Sequence, residues 1–284
     1  MQDARGIATD LVLCGISVQI LPFRQQVELA ARHGFDAITA IGGLLRRCVD
    51  KEGMTLPEIR TIADDAGIRI TDVEASGGWL SPAIPGTPRW LTPAYDVAGF
   101  LEAAVTLGAK NLVAVHFGAP PDPDVAVERF VALCGQAAQH GIQVAFEFPA
   151  FATIRDVAAC WDIVRAADQP NGGLLIDSWH HYRGGGDDEV LRSIPGDRIF
   201  SVQLSDGLAE PQGSLIEDAA GRLLPGEGAF DIPRFLDLLA GNGVRCPVGV
   251  EIFDRAGLES DPDRTVAGMA TAMREVLGIA PAAS

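Results

Sequence analysis

Four polar residues follow short apolar runs in the second half of the sequence, and their side chains all offer oxygen atoms. They are Glu147 in VAFEFP, Asp177 in LLIDSWHH, Gln203 in SVQLSD and Glu251 in GVEIF. Carboxylates brought together in a buried place repel one another, so they either take up protons or bind a cation. We predict that the four residues bind one divalent metal ion. The alternative is that each acid caps a helix or pairs with an arginine.

The chemical type of these side chains also indicates which metal ion the site prefers. Carboxylate and amide oxygens suit Mn²⁺ or Mg²⁺ better than Zn²⁺, which favours cysteine and histidine ligands. We therefore expect Mn²⁺, with Mg²⁺ or Co²⁺ as the alternatives.

Three more residues near the same strand ends are candidates for contacts with a substrate. His180 lies three residues after Asp177, close enough to reach a substrate oxygen, and the alternative is a surface histidine. His116 in VAVHFG either points into the predicted mouth or packs in the core. Glu74 in DVEA either binds substrate or stabilises the metal ligands, and the alternative is a core acid bonded to backbone.

Aromatic and basic residues in predicted loops form a second group of candidates for substrate binding. Trp79 stands where an indole ring either stacks on a sugar or forms a hydrophobic lid. Arg183 and Arg222 are the cations best suited to a substrate carboxylate or phosphate, and the alternative is an exposed loop arginine. We include all three among the predicted substrate-binding residues.

Eight short apolar runs alternate with segments of helical length along the whole chain. Such runs are typical of strands buried on both faces, as in a parallel sheet covered by helices. Several helical segments end in glycine, which adopts the left-handed conformation at a helix end at little cost. The predicted strands are 11–17, 37–42, 68–75, 111–118, 143–149, 173–179, 199–206 and 247–253. The predicted helices are 22–34, 55–67, 93–108, 123–141, 154–168, 187–195, 231–243 and 261–278.

Eight strand–helix units in 284 residues predict a single-domain (β/α)8 TIM barrel over residues 11–278. The rival fold, an open doubly wound sheet, usually carries G-x-G-x-x-G after its first strand, and no such motif follows the first run here. In a TIM barrel the active site is built from the C-terminal ends of the strands and the βα loops. The longest predicted loops, 76–92 and 207–230, therefore belong to the predicted active site.

Composition and charge restrict the partners of this chain. A net charge of −16 argues against nucleic-acid binding, which needs clustered Lys and Arg, so we expect a small carbohydrate or keto acid as the partner. The sequence contains no run of eighteen apolar residues, so we expect no membrane span. Five scattered cysteines and the absence of a signal sequence favour reduced thiols and a cytoplasmic location. The sequence leaves open whether the chain forms a homo-oligomer, either a dimer or a tetramer.

At these motifs the chain resembles the sugar phosphate isomerase/epimerase superfamily, whose members have a xylose-isomerase-like TIM barrel. The similarity spans roughly residues 11–278 and rests on FEFP, DSWH, QLSD, PGEG and GVEIF in that order. The resemblance implies that the four oxygen-donating residues named first bind the metal. It also implies that Glu147 and Glu251 serve as the acid/base pair and that His180 contacts substrate oxygens.

Single positions indicate which branches of the superfamily the chain resembles. Gln203 stands where many members carry histidine, as it does in the hydroxypyruvate isomerase branch. Ketose 3-epimerases carry a substrate-contacting glutamate near the position of Thr153, so the chain departs from that branch. The endonuclease IV branch needs many metal-binding histidines and a basic face, whereas this chain has five histidines and an acidic balance. The resemblance thus favours the branches that carry glutamine.

The chemistry that fits these residues is proton abstraction beside a carbonyl, through a metal-stabilised enediolate. One glutamate would remove the proton and the other would return it, which predicts an isomerase or epimerase of a sugar, keto-sugar or hydroxy-keto acid. If a β-hydroxyl leaves instead, the enzyme is a dehydratase or lyase on a keto-polyol, as in superfamily members that act on keto-inositol or dehydroshikimate. The third hypothesis is a sugar-binding barrel that has lost activity.

Overall fold

The apolar runs form eight parallel strands, each hydrogen-bonded to the next along the chain, and the last strand pairs with the first to close a barrel. This computed structural model describes Gly6, residues 10–81 and residues 94–280. The predicted TIM barrel is confirmed. The strands are β1 (Leu11–Leu13), β2 (Ala37–Ile41), β3 (Arg69–Ser76), β4 (Asn111–Ala114), β5 (Gln143–Phe146), β6 (Gly172–Asp177), β7 (Ile199–Leu204) and β8 (Val248–Val250).

Helices connect successive strands and cover the outside of the barrel. Short 3₁₀ turns also occur at Gly15–Val18 and Gly196–Arg198. The helices are α1 (Phe23–Arg32), α2 (Gly42–Glu52), α3 (Leu56–Asp65), α4 (Val97–Leu107), α5 (Pro123–Ala138), α6 (Val157–Ala167), α7 (Ser178–Arg183), α8 (Asp188–Ser193), α9 (Leu215–Ala220), α10 (Ile232–Gly241), α11 (Arg255–Ser260) and α12 (Pro262–Leu277).

Local sequence signals explain where most helices begin and end. Asp96 caps α4 by accepting a hydrogen bond from the Gly99 amide at 2.8 Å, and Thr55 forms a reciprocal capping box with Glu58 at the start of α3. Glycines predicted to end helices all have positive φ, between 69° and 78°. They are Gly34, Gly67, Gly108, Gly141 and Gly243.

Every strand except β3 is shorter than predicted, mainly at its C-terminal end. β1 ends at Leu13 rather than residue 17, and β8 ends at Val250 rather than residue 253. The backbone there leaves the hydrogen-bonded ladder and enters a βα loop while its composition stays apolar. Most of the predicted loop 76–92 lies outside the described residues, as does Trp90.

Four helices are absent from the sequence-based prediction: α2, α7, α9 and α11. Helix α2 begins with two glycines, which favour a loop interpretation because glycine is a poor helix former. The other three have six residues each, too few for a periodic pattern to be recognised. Tertiary packing rather than local propensity therefore supports these segments.

The buried residues form two layers that follow the alternation of side chains along the strands. The large layer lies between strands and helices and includes Phe100 and Phe130, whereas a small cluster that includes Val113, Leu175 and Phe200 fills the barrel interior. All five cysteines are free, and four of them are buried. Among the described residues, no helix combines the length and apolar character that a membrane crossing requires.

A close approach inside the barrel predicts that Gly173 cannot be replaced without loss of stability. A Cβ atom there would lie 2.6 Å from the Arg198 carbonyl oxygen and 2.6 Å from the Phe200 ring. We expect Gly173→Ala to destabilise the fold by about 1–3 kcal/mol, because backbone cannot move aside cheaply. Gly135→Ala is the matched control, since a Cβ at this exposed position in α5 meets nothing within 4 Å. Equal midpoints for the two variants in urea unfolding would contradict this explanation.

Candidate metal centre

The four predicted metal ligands lie at the C-terminal rim of the barrel, and all are buried. Asp177 is the last residue of β6 and is in register with Gln203 near the end of β7. Glu147 and Glu251 directly follow β5 and β8, and their amides extend the ladder to Ala114 O at 2.9 Å and Leu204 O at 3.1 Å. The backbone hydrogen bonds of the barrel therefore position all four side chains at one rim.

Arg222 lies among these acids and is only 6% exposed. Its Nη1 donates to Asp177 Oδ2 at 2.8 Å and also to Glu251 Oε2. The guanidinium carbon lies 5.0 Å from the Trp179 ring and 5.2 Å from the Phe253 ring, so two aromatic side chains hold the cation in place. Arg222 was predicted from the sequence to bind substrate, and the structure places it inside the cluster as a counter-charge.

His180 connects the arginine with Glu147. The Ala150 amide donates to its Nδ1 at 3.1 Å, so the ring proton of a neutral imidazole resides on Nε2. Nε2 lies 3.4 Å from Glu147 Oε1 and 3.1 Å from Arg222 Nη2. With this tautomer His180 Nε2 and Arg222 Nη2 both carry protons, so the Nε2 proton is attracted to the Glu147 carboxylate and not to the guanidinium. Burial lowers the pKa of His180 to about 3, which keeps the ring neutral.

The acids of this cluster differ in how readily they ionise. Burial raises the pKa of Glu147 well above its usual range, and the neighbouring Glu251 and Asp177 carboxylates raise it further. Burial also raises the pKa of Glu251 to about 8 and that of Glu74 to about 7. Burial opposes ionisation of Asp177 as well, but Arg222 and the hydrogen bond from the His180 amide keep its pKa below the usual value. One arginine therefore does not offset all of the buried negative charge.

The donor atoms of this cluster fit a divalent cation. Gln203 Oε1 and Glu74 Oε1 are buried and have no hydrogen-bond partner among the described residues. Carboxylate oxygens of Asp177 and Glu251 lie within 4.8 Å of each other and of a His180 ring nitrogen, while Glu147 is not part of this group of three. A cation among these atoms would satisfy the free amide oxygen and reduce the repulsion between carboxylates. Asp177 also caps α7 and pairs with Arg222, as the alternative hypothesis from the sequence expects.

Of the remaining predicted residues, Glu74 contacts the cluster, whereas His116 and Trp79 bond to other parts of the barrel. Glu74 reaches the cluster by accepting a hydrogen bond from Gln203 Nε2 at 3.2 Å. His116 is buried and its Nε2 lies 2.9 Å from Ala119 O, so it supports the loop after β4. Trp79 packs in the core, where its Nε1 donates to Val115 O at 2.9 Å. Its ring meets Phe130 and Phe146 edge-on, so the predicted sugar-stacking surface is not formed by this residue.

Arg183 and Asp206 hold the long segment between β7 and α10, which delivers Arg222. Arg183 Nε donates to Asp218 at 2.6 Å and Nη2 donates to Leu208 O at 2.7 Å. The guanidinium that was predicted to bind substrate is therefore bonded to residues of this segment. The Asp206 carboxylate accepts from the Gly226 and Phe230 amides at 3.1 and 2.9 Å. Sequence reasoning missed this anchoring role of Asp206, although its position just after β7 and before PGEG is a usable signal.

Comparison with known families agrees with the barrel fold. Residues 27–276 match the family described as xylose isomerase-like TIM barrel. The chain belongs to this family. Among solved structures, the IolI protein with a bound zinc atom superposes with a TM-score of 0.81 at 21% identity, covering 95% of this chain and 98% of that one. At this level of identity the likeness concerns the fold alone.

Curated relatives of the chain carry two kinds of name. A 3-dehydroshikimate dehydratase of Pseudomonas aeruginosa is 30% identical over 171 residues, which cover 60% of this chain and 26% of that protein. An inosose isomerase of Bacillus subtilis is 29% identical over 166 residues, which cover 56% of this chain and 59% of that protein. The chain thus spans about a quarter of the dehydratase and somewhat over half of the isomerase.

The raised pKa values of Glu74 and Glu251 predict how stability depends on pH in the metal-free protein. Between the unfolded pKa of glutamate, about 4.3, and folded values of about 7 and about 8, the folded state binds more protons than the unfolded state. Stability therefore decreases as the pH rises through this window. We expect the Tm in EDTA to fall from about pH 5.5 to about pH 8.5, and saturating Mn²⁺ to restore it at the upper pH. A Tm in EDTA that rises over this range would contradict the arrangement.

Replacement of Arg222 should destabilise the metal-free protein more at high pH than at low pH. We expect Arg222→Met to cost about 3–5 kcal/mol near pH 8, because it leaves buried carboxylates unpaired, and less near pH 5.5, where they bind protons instead. Arg183→Met is the matched control, since it removes an equally buried arginine whose partner, Asp218, lies outside the cluster. Urea unfolding at both pH values measures the difference. Parallel losses for the two variants would contradict the assigned role of Arg222.

Proposed function

We propose that this protein is a divalent-metal-dependent isomerase or epimerase that moves a proton beside the carbonyl of a sugar, keto-sugar or hydroxy-keto acid. The observation that carries this proposal is the placement of Glu147 and Glu251 in one buried rim cluster, both with raised pKa. Burial raises the pKa of both acids in the metal-free cluster, that of Glu251 to about 8, so each can carry a proton as well as lose one. The proposed proton transfer therefore follows from the two acids, not from the fold.

Glu147, Asp177, Gln203 and Glu251 would hold the ion. When bound, it supplies positive charge that polarises a substrate carbonyl and acidifies the neighbouring C–H bond. The buried position of these ligands on the barrel rim supports this assignment, as does the free amide oxygen of Gln203.

The protein's own residues then divide the proton-transfer steps. One of the two acids, Glu147 or Glu251, takes the proton from carbon onto a carboxylate oxygen, and the other returns a proton. Return to the same carbon inverts its configuration. Return to the adjacent carbon completes an isomerisation when the hydroxyl proton also moves to the former carbonyl oxygen. His180 stays neutral and directs its Nε2 proton toward Glu147 Oε1, so it stabilises that carboxylate whenever it is ionised. Arg222 keeps Asp177 ionised throughout.

A dehydratase is the second candidate function, favoured by the relatives named 3-dehydroshikimate dehydratase. Its first step is the same removal of a proton beside a ketone. The β-hydroxyl then leaves as water with a proton from whichever of Glu147 and Glu251 is protonated, since a neutral His180 can donate a hydrogen bond but not a proton. The names of the relatives place inosose and 3-dehydroshikimate first among the substrates to be tested.

Incubation in D₂O with Mn²⁺ distinguishes the candidate reactions. The protein is stripped with EDTA, reloaded and mixed with single keto-sugars, keto-acids, inosose or 3-dehydroshikimate, and the products are followed by NMR and mass spectrometry. Deuterium at carbon without mass loss indicates an isomerase or epimerase, and loss of water indicates a dehydratase. Absence of exchange with every compound would contradict both functions and favour a sugar-binding barrel.

Replacement of a rim glutamate should abolish the exchange. We expect Glu147→Gln to lower the rate at least about 10²-fold, because general acid–base catalysis contributes this much or more. Glu128→Gln is the matched control, since it makes the same chemical change at an exposed position in α5 and should leave the rate unaltered. Full activity with full metal content in Glu147→Gln would refute the shared mechanism.

A further inference from the structure

The amide of Gln203 is held in one orientation by a residue from the opposite side of the barrel. Gln203 Nε2 donates to Glu74 Oε2 at 3.2 Å. Strands β3 and β7, which carry the two residues, are four strands apart in the closed barrel, so this hydrogen bond crosses its interior. Both side chains are buried, at 5% exposure for Glu74 and 1% for Gln203.

This contact decides which end of the amide faces the rim. The two ends of a glutamine side chain have nearly the same shape but opposite hydrogen-bonding roles. An ionised carboxylate only accepts hydrogen bonds, so ionised Glu74 binds the N–H end and Oε1 points elsewhere. Gln203 Oε1 is indeed buried without a hydrogen-bond partner among the described residues, on the strand next to Asp177. A free, buried acceptor beside a carboxylate is suited to a cation and costly without one.

Glu74 is itself held from the other side. The Thr39 hydroxyl favours the ionised form of Glu74 and so lowers its pKa, and the Gly15 amide donates to Thr39 Oγ1 at 2.8 Å. The register between β2 and β3 shifts between Ile38 and Ala40, and Thr39 is the residue between these two. Such an irregularity re-aims a side chain out of the regular alternation. A series of residues from Gly15 through Thr39 and Glu74 therefore fixes the orientation of the Gln203 amide.

We infer that Glu74 is a positioning residue for the metal centre, which turns the Gln203 amide oxygen toward the ion and does not contact substrate. This inference rests on the proposed metal set and replaces the substrate-binding role predicted for Glu74. The arrangement is analogous to metal-bound histidine, whose second nitrogen is commonly oriented by a carboxylate. Glutamine needs such a partner more than a carboxylate ligand does, because only one of its two ends can bind a cation.

A swap of the two side chains tests this inference through Mn²⁺ affinity, measured by calorimetry and by the EPR signal of free Mn²⁺. We expect Glu74→Gln to weaken binding at least about 10-fold, because the new amide can donate to Gln203 Oε1 and turn Nε2 toward the ion. In a Gln203→Glu background the same Glu74→Gln change should strengthen binding. There the amide at position 74 donates to a carboxylate ligand, whereas native Glu74 would repel it.

Asp72→Asn is the matched control, since it neutralises another buried acid on β3 that bonds to Asn111 and not to Gln203. Its Mn²⁺ affinity should stay near that of the native protein, and circular dichroism of every variant checks folding. Equal affinities for Glu74→Gln and the native protein, or the same direction of change in both backgrounds, would overturn the inference. Failure of the native protein to bind Mn²⁺ would instead overturn the proposed function.

Discussion

Mutual repulsion between buried carboxyl groups is the constraint on which the rest of this structure depends. Glu147, Asp177 and Glu251 lie at one rim with Glu74 just below, and water cannot screen them there. Arg222 supplies one positive charge and satisfies mainly Asp177 and Glu251. The remaining imbalance appears as raised pKa values, so the cluster takes up protons or a divalent cation. A site under this constraint is prepared to bind positive charge and to exchange protons.

The segment between β7 and α10 carries Arg222 into the cluster. No barrel strand carries it, so the chain must bring a cation from a loop into a buried place and hold it there. Asp206 fastens the start and the end of the segment through backbone amides, and Arg183 pairs with Asp218 in its middle. Trp179 and Phe253 then enclose the guanidinium. The contacts of Arg222 with Asp177, Glu251 and the two rings replace hydration that the buried arginine has lost.

Membership in the xylose isomerase-like TIM barrel family is consistent with chemistry that begins in one way and ends in several. Relatives are named both inosose isomerase and 3-dehydroshikimate dehydratase. Removal of a proton beside a ketone is a first step that both outcomes can share. In the proposed mechanism the rim acids supply this common step, and the donors that the loops place over the substrate decide which bond then forms or breaks.

The amino-acid sequence alone was sufficient for the barrel and for naming Glu147, Asp177, Gln203 and Glu251 as rim residues. Both follow from repeating local patterns, because apolar runs and helix-ending glycines are set within a few residues. The strand ends and the short helices were predicted less well, since packing rather than periodicity decides them.

Only the three-dimensional arrangement shows the roles of residues whose partners lie far away in the chain. The sequence leaves open whether Trp79 stacks on a sugar or forms a hydrophobic lid, whereas in the structure its ring packs against Phe130 in the core. Arg222 joins Asp177 from 45 residues away, and Glu74 orients Gln203 from 129 residues away. Nothing in the local sequence encodes such pairs. They arise because barrel closure brings distant strands to a common axis, where burial makes each polar contact matter.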